Sequence, residues 1–280
     1  FIQVGTQIGA QAIEQALDQA GRTATDIDAI FTTTVTGVAT PSLDARLVNR
    51  LGLRTDVRRT PMFGLGCVAG AAGIARVADY LAGHPDHVAV LLSVELCSLT
   101  IQRQDLSIPN LIATGLFGDG AAAVVMAGNN TACRAGMPRV VDSRSRFYPD
   151  TERVMGWDIE TTGFKIVLSA GVPDMVAEHM GADVDAFLHD HGLDRTHISR
   201  WICHPGGPKV LRAFEQTLGL TEHDTALTWT SLREVGNLSS ASVLHVLRDT
   251  LEQRPSAPGD YGLMLAMGPG FCSELVLLQW

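Results

Sequence analysis

Three residues of this 280-residue sequence have the type and surroundings for nucleophilic chemistry: Cys67, His204 and Asn237. Cys67 lies in Phe63-Gly64-Leu65-Gly66-Cys67-Val68-Ala69-Gly70-Ala71-Ala72-Gly73. Small residues on both sides let backbones and a bound molecule come close. The spacing predicts a helix over Cys67–Ala82, ended by Gly83, with the cysteine at its start. Unpaired amides and the helix dipole there favour a thiolate and lower its pKa. For an arbitrary cysteine the ordinary reading is a buried structural thiol. A strand, tight turn and helix around it make a nucleophile as good a reading.

His204 closes an apolar run, Trp201-Ile202-Cys203-His204, and is followed by Pro205-Gly206-Gly207-Pro208. Pro208 suits the first position of a helix, and strand ends are where α/β folds build their sites. The other histidines, among them His84, His87, His189 and His191, lie in polar stretches and keep the ordinary reading of a surface or core residue. Asn237 opens Gly236-Asn237-Leu238-Ser239-Ser240-Ala241-Ser242. Alone it is a good helix N-cap.

The elements that must hold these residues alternate along the chain. Helices are expected at Ile8–Ala20, Ser42–Leu51 (capped by Ser42), Val172–Met180, near Val184–His191, Pro208–Leu218 and Gly236–Leu251. Strands are expected at Ile27–Thr34, His87–Ser93, Gly120–Ala127, Ser199–Cys203, Gly262–Met267 and Ser273–Leu278. Buried strands alternating with helices define an α/β layered fold. One common offset lays Ile27–Phe31 on Ile198–Ile202, Ile13–Ala20 on Val184–His191, and Gly66-Cys67 on Asn237-Leu238. This predicts a duplicated fold whose halves face each other and bring two helix starts, with His204, into one place. Strands over about Arg139–Leu168 precede the aligned helix of the second half, while the first half begins at Phe1. The expectation is that the first half lacks its leading strands in this chain.

Composition narrows the classes further. Apolar residues make up 46% and charged residues 18%, which fits a large core and excludes a disordered chain. Runs such as Val88–Val94 and Ala121–Ala127 are too short to cross a bilayer, so no membrane partner is expected. A net charge of −9 argues against nucleic acid as a partner. Only Lys165 and Lys209 are lysines. Five cysteines without zinc-ligand spacing fit free thiols in a reducing cytoplasm, with no metal site.

In this order, these motifs resemble the chalcone synthase family, the type III polyketide synthases of the thiolase superfamily. The resemblance covers nearly all of the chain. It rests on Gly-Cys-x-x-Gly at Cys67, Leu116-Phe117-Gly118-Asp119-Gly120-Ala121-Ala122-Ala123, His-Pro-Gly-Gly-Pro at His204, Gly-Asn-Leu-Ser-Ser-Ala-Ser at Asn237, and Met267-Gly268-Pro269-Gly270-Phe271. It implies a duplicated thiolase-like αβαβα fold, with residues 1–135 carrying the nucleophile and 136–280 carrying the histidine and asparagine. It implies a catalytic triad of Cys67, His204 and Asn237, with Phe117 as gatekeeper and Phe164 as a second one. Cys67 and His204 would form a thiolate–imidazolium pair. Acyl-CoA and malonyl-CoA would be substrates, without a further cofactor, and the chain would act as a homodimer. Lys209 would lie near the coenzyme A arm. Segments around Val35–Gly37 and Glu95–Thr100 would line the acyl pocket, where Thr36 and Cys97 are small. Ala266-Met267 replaces the family's usual Gly-Phe, so Met267 changes the wall of the cyclisation pocket. The family's basic N-terminal segment is absent from the sequence.

The wording around Cys67 and the arginine-rich composition look like actinobacterial alkylpyrone synthases. That implies a long fatty acyl starter and an alkylpyrone product. Two rivals share the residue types. A ketoacyl-ACP synthase of the third class would typically read His-Gln-Ala-Asn at its histidine and use an acyl carrier protein. A papain-like cysteine protease would show Gly-Ser-Cys-Trp and disulfides.

Overall fold

The computed structural model describes residues 1–280. Helices α1 (Ile2–Ala20), α2 (Leu43–Leu51), α3 (Ala69–Gly83) and α4 (Ile108–Leu116) belong to the first half. Strands β1 (Ala29–Thr34), β2 (Arg58–Phe63), β3 (Val88–Leu96) and β4 (Asp119–Ala127) form one sheet in the order β2-β1-β3-β4. The second half has β5 (Arg139–Phe147), the hairpin β6 (Met155–Glu160) and β7 (Gly163–Leu168), and β8 (Ile198–Cys203). Its helices are α5 (Val172–Met175), α6 (Gly181–Asp190), α7 (Pro208–Leu218), α8 (Glu222–Val235) and α9 (Ser242–Gln253). A π-helical turn, Val176–Met180, joins α5 to α6. Strands β9 (Tyr261–Gly268) and β10 (Cys272–Gln279) complete a second sheet in the order β5-β10-β9-β8.

Alternation along the strands sorts the core into layers. Val88, Val90, Leu92 and Val94 of β3 face α1 and α2 in one cluster, while Ala89 and Leu91 face α3 in another. In β9, Met264 and Ala266 join that central cluster, and Leu263, Leu265 and Met267 face the opposite way. The middle cluster also holds Ala71 and Ile74 of α3 and Val243 and Leu247 of α9. The result is helices, sheet, paired helices, sheet, helices: the αβαβα sandwich expected of a thiolase-like chain.

The duplication is visible in the pairing. β1 runs parallel to β3, and β3 antiparallel to β4. β8 runs parallel to β9, and β9 antiparallel to β10. In the second sheet β5 flanks β10, whereas β4 stands at the edge of the first.

Several expectations need correction. α1 starts at Ile2, not Ile8, because Gly5 and Gly9 bring its first turns close to Leu43, Leu92 and Val94 in place of large apolar side chains. Ser42 precedes α2 but its side chain makes no capping bond. The helices expected from Cys67 and Gly236 begin at Ala69 and Ser242, each after a 3-10 turn. α4 and α8 were not expected from the sequence, and the strand read before Cys67, given no bounds there, is β2.

Candidate active site

The two short turns are the scaffold of the site. Cys67 is in the turn Gly66–Val68 before α3, and Ser239–Ala241 is the matching turn before α9. They press together so closely that a Cβ on Gly70 would lie 2.3 Å from the Ser240 carbonyl oxygen. Gly66 has φ +57, and a Cβ there would meet Pro269 at 2.6 Å. Gly268 lies under the same turn, with room for no side chain beside Val68 N and Leu65 O. The Gly-Pro-Gly loop after Met267 therefore closes on the cysteine turn, and Met267 itself is buried in the second-half core.

Cys67 is 5% exposed. Its Sγ reaches Ser239 Oγ at 3.7 Å. Ser239 holds a left-handed backbone, φ +50, which a serine rarely adopts. Its N–H donates to Asn237 Oδ1 at 2.8 Å, and Asn237 Nδ2 donates to the Gly206 carbonyl at 3.2 Å. Gly206 N–H donates to the His204 carbonyl at 2.9 Å. Cys67, Asn237 and His204 are thus linked through Ser239 and Gly206. Phe117 joins from α4: Asn237 N–H donates to Leu116 O at 2.9 Å and Gly118 N–H to Asn237 O at 3.0 Å. That parallel bridge sets half-buried Phe117 beside the asparagine.

His204 is 3% exposed, and neither ring nitrogen has a hydrogen-bond partner. Burial pushes its imidazole down to about 3. Burial likewise pushes the Cys67 thiol up to about 12, against the pull of Ser239. Burial opposes both charged forms of the expected thiolate–imidazolium pair, while hydrogen bonds from Ser239 and Asn237 pull the thiol the other way.

The remaining candidates spread outward. Cys97 and Thr36 are buried near the ends of β3 and β1. The Thr36 hydroxyl is fully engaged, accepting from Leu96 N–H at 2.8 Å and donating to Glu95 at 3.0 Å. Half-buried Phe164 lies in β7, its carbonyl accepting from Gln102 at 3.1 Å. Lys209 is exposed at the start of α7 and shares a groove of about 420 Å³ with Arg212, Asp174 and Pro173. Sequence reasoning gave no role to Ser239 and placed Glu95 only at the start of a segment lining the acyl pocket. The available signal was a lone acid ending the apolar run Val88–Leu96 and a serine two places after Asn237.

A duplicated αβαβα sandwich with a cysteine, a histidine and an asparagine buried where its halves meet is a thiolase-like architecture. The chain belongs to the chalcone and stilbene synthase family: residues 2–130 match its N-terminal domain and 139–280 its C-terminal domain. It is a type III polyketide synthase, an acyltransferase that condenses CoA-linked substrates with decarboxylation of malonyl-CoA. The family assignment sets aside the acyl-carrier-protein and protease readings. One relative, the 1,3,6,8-tetrahydroxynaphthalene synthase of Streptomyces peucetius subsp. caesius, is 56% identical over all of this chain and 74% of its own length. The 3,5-dihydroxyphenylacetyl-CoA synthase of Streptomyces toyocaensis is 36% identical over 98% of this chain and 71% of its own. The crystal structure of the tetrahydroxynaphthalene synthase of Streptomyces coelicolor superposes with TM-score 0.94 at 34% identity, covering 99% of this chain and 78% of that one.

Proposed function

We propose that Cys67 is the nucleophile, that His204 and Asn237 form the enolate site, and that the product is an aromatic polyketide of the tetrahydroxynaphthalene kind. The observation that carries the catalytic reading is His204. Each buried ring nitrogen without a partner costs about 1–3 kcal/mol, and native proteins keep such groups where a ligand satisfies them. The neutral imidazole takes the Cys67 proton as sulfur attacks a CoA thioester, and returns it to the departing CoA sulfur. Malonyl-CoA then binds with its thioester oxygen toward His204 N–H and the free Asn237 amide hydrogen. Its carbon–carboxylate bond breaks, the electron pair enters the enolate, and carbon dioxide leaves. The enolate carbon attacks the Cys67 thioester carbonyl, the carbon–sulfur bond breaks with the Cys67 thiolate as leaving group, and the chain, two carbons longer, is carried on the CoA of the former malonyl group. Phe117, held on Asn237, shields the carbanion from water, with Phe164 across the hairpin. Lys209 meets a coenzyme A phosphate, and Met267 shapes the cyclisation wall.

The 56% identity to a tetrahydroxynaphthalene synthase supports malonyl-CoA as both starter and extender. A long fatty acyl starter and alkylpyrone product form the second reading, supported by the small buried side chains of Cys97 and Thr36. Product masses separate the two. Malonyl-CoA alone should yield the naphthalenetetrol; a pyrone made only when a fatty acyl-CoA is added would establish the second reading and overturn the first.

The enzyme acts as a homodimer in the cytoplasm. β2 pairs only with β1, leaving its other edge free beside exposed Phe63, a ready surface for a second copy. No helix is long and apolar enough to cross a membrane.

A further inference from the structure

Two carboxyl groups are completely buried. Asp44 is matched by Arg59 at 2.9 Å. Glu95 has only amide and hydroxyl partners, and no cation donates to it. A carboxylate at the end of an apolar strand is costly to bury, so its contacts need a reason.

Those contacts fasten three segments. Glu95 Oε2 accepts from Val35 N–H at 3.1 Å, Thr36 Oγ1 at 3.0 Å and Thr34 Oγ1 at 3.4 Å, at the end of β1. Its Oε1 accepts from Ser240 Oγ, 145 residues away in the other half of the fold. Ser240 Oγ also bonds Ser93 Oγ at 2.5 Å, back on β3. Ser240 lies in the turn whose Ser239 faces Cys67 and whose amide fixes Asn237.

We propose that Glu95 is a positioning residue for malonyl decarboxylation: through Ser240 it holds the Asn237–Ser240 turn of the second half against the Cys67 turn of the first. This rests on the assignment of Asn237 to the enolate site. The step it supports is the one in which the malonyl carbon–carboxylate bond breaks and its electron pair moves into the enolate. Burial raises the Glu95 carboxyl above the ordinary carboxylate range, while its donors pull it down. The two oxygens are not equivalent. Val35 N–H can only donate, and the Thr36 hydroxyl, already accepting from Leu96 N–H, must donate too. Oε2 is therefore an obligatory acceptor. At Oε1 the Ser240 and Ser93 hydroxyls can both reverse, so a donor fits as well as an acceptor. Glutamine satisfies both sides; alanine satisfies neither.

The test is malonyl-CoA decarboxylation by Glu95→Ala, Glu95→Gln and Ser240→Ala, with folded fraction checked by melting. Glu95→Ala and Ser240→Ala should each lower kcat by up to about 10²-fold, the effect of misplacing a catalytic group. Loss confined to the transition state leaves KM for malonyl-CoA within about threefold. Glu95→Gln should recover most of what Glu95→Ala loses. Ser240→Ala removes one hydroxyl and leaves the β1 contacts, so it reads the link even where Glu95→Ala fails to fold. Wild-type kcat in Ser240→Ala overturns the proposal. So does a Glu95→Gln variant as poor as Glu95→Ala, or a KM that rises as kcat falls. Asn237→Ala run alongside separates the two levels: unimpaired decarboxylation there overturns the site assignment itself.

Discussion

The Asn237 carboxamide is locked to Gly206, with Nδ2 donating to the Gly206 carbonyl at 3.2 Å. Its Oδ1 accepts from Ser239 N–H at 2.8 Å, which fixes the orientation of the group. Of its two amide hydrogens one is therefore used and one is free, on a side chain whose residue is 1% exposed. A single N–H held still in a dry site is what a developing enolate oxygen needs.

That geometry divides the roles of the site. Cys67→Ala should abolish condensation yet leave some malonyl-CoA decarboxylation, because the enolate donors remain. Asn237→Ala should lose decarboxylation by about 10²–10³-fold, as for a lost oxyanion donor. Carbon dioxide release and product formation, measured separately, check both. Extension of acyl-CoA by Cys67→Ala would remove the nucleophile assignment.

The burial of Cys67 and His204 also gives stability a pH signature. His204 lies at about 3 against its ordinary 6.5. As pH falls through 6.5 the unfolded imidazole binds a proton and the folded one does not, so stability drops from pH 6.5 toward 3. Cys67 lies at about 12 against 9.0, so the unfolded thiol ionises first and stability drops again as pH rises from 9.0 to 12. Glu95, with its raised carboxyl, acts in the opposite sense on the acid side. Comparing wild type with His204→Gln isolates the histidine: urea midpoints measured in neutral and mildly acidic buffer should converge in the variant. An unchanged acid slope would mean that His204 is not the group responsible.

How much of this was legible follows from what each segment buries. α7 was readable because Pro208 opens it and Gly219 closes it. β3 was readable as an unbroken apolar run. The strand before Cys67 was implied but its bounds were not readable: Arg58, Arg59 and Thr60 are exposed at a sheet edge, and Pro61 is tolerated only there. α8 buries Thr225, Thr228 and Ser231 rather than an apolar stripe, so no helical period shows, although Thr221 and Asp224 form a capping box. Cys67, His204 and Asn237 could be picked from motif and repeat. The direction in which burial shifts their pKa values could not, since that depends on burial that only the closed halves create.

The contact between the two halves can be tested by adding one methyl group. Gly70→Ala would place a Cβ 2.3 Å from Ser240 O and 2.6 Å from Val243 Cγ1. Alanine is favoured over glycine in a helix by about 1 kcal/mol. Overpacking costs about 1–3 kcal/mol and more where backbone blocks the way, so the sum is destabilising. Gly83, at the other end of α3, has nothing within 4 Å of its Cβ position. Gly83→Ala should be neutral or stabilising by up to about 1 kcal/mol. Denaturant midpoints of the two variants, moving in opposite directions, would show that the helix starts and not the helix itself carry the strain.

Lys209 and Arg212 stand one helical turn apart on α7, at the end where unpaired amides favour an anion. Both face the groove that Asp174 and Pro173 close from α5. A phosphate of the coenzyme A arm fits that cationic pair; a solvated surface lysine is the plain alternative. The two differ in which substrate notices a change. Lys209→Glu should raise KM for acyl-CoA about three- to tenfold, as expected for losing and then reversing one exposed charge contact of up to about 1 kcal/mol. kcat should hold, since the contact is made equally before and during reaction. A small thioester without the nucleotide arm should acylate Cys67 as before, and added salt should shrink the acyl-CoA effect because the contact is exposed. Equal changes for both thioesters would remove Lys209 from the coenzyme A site.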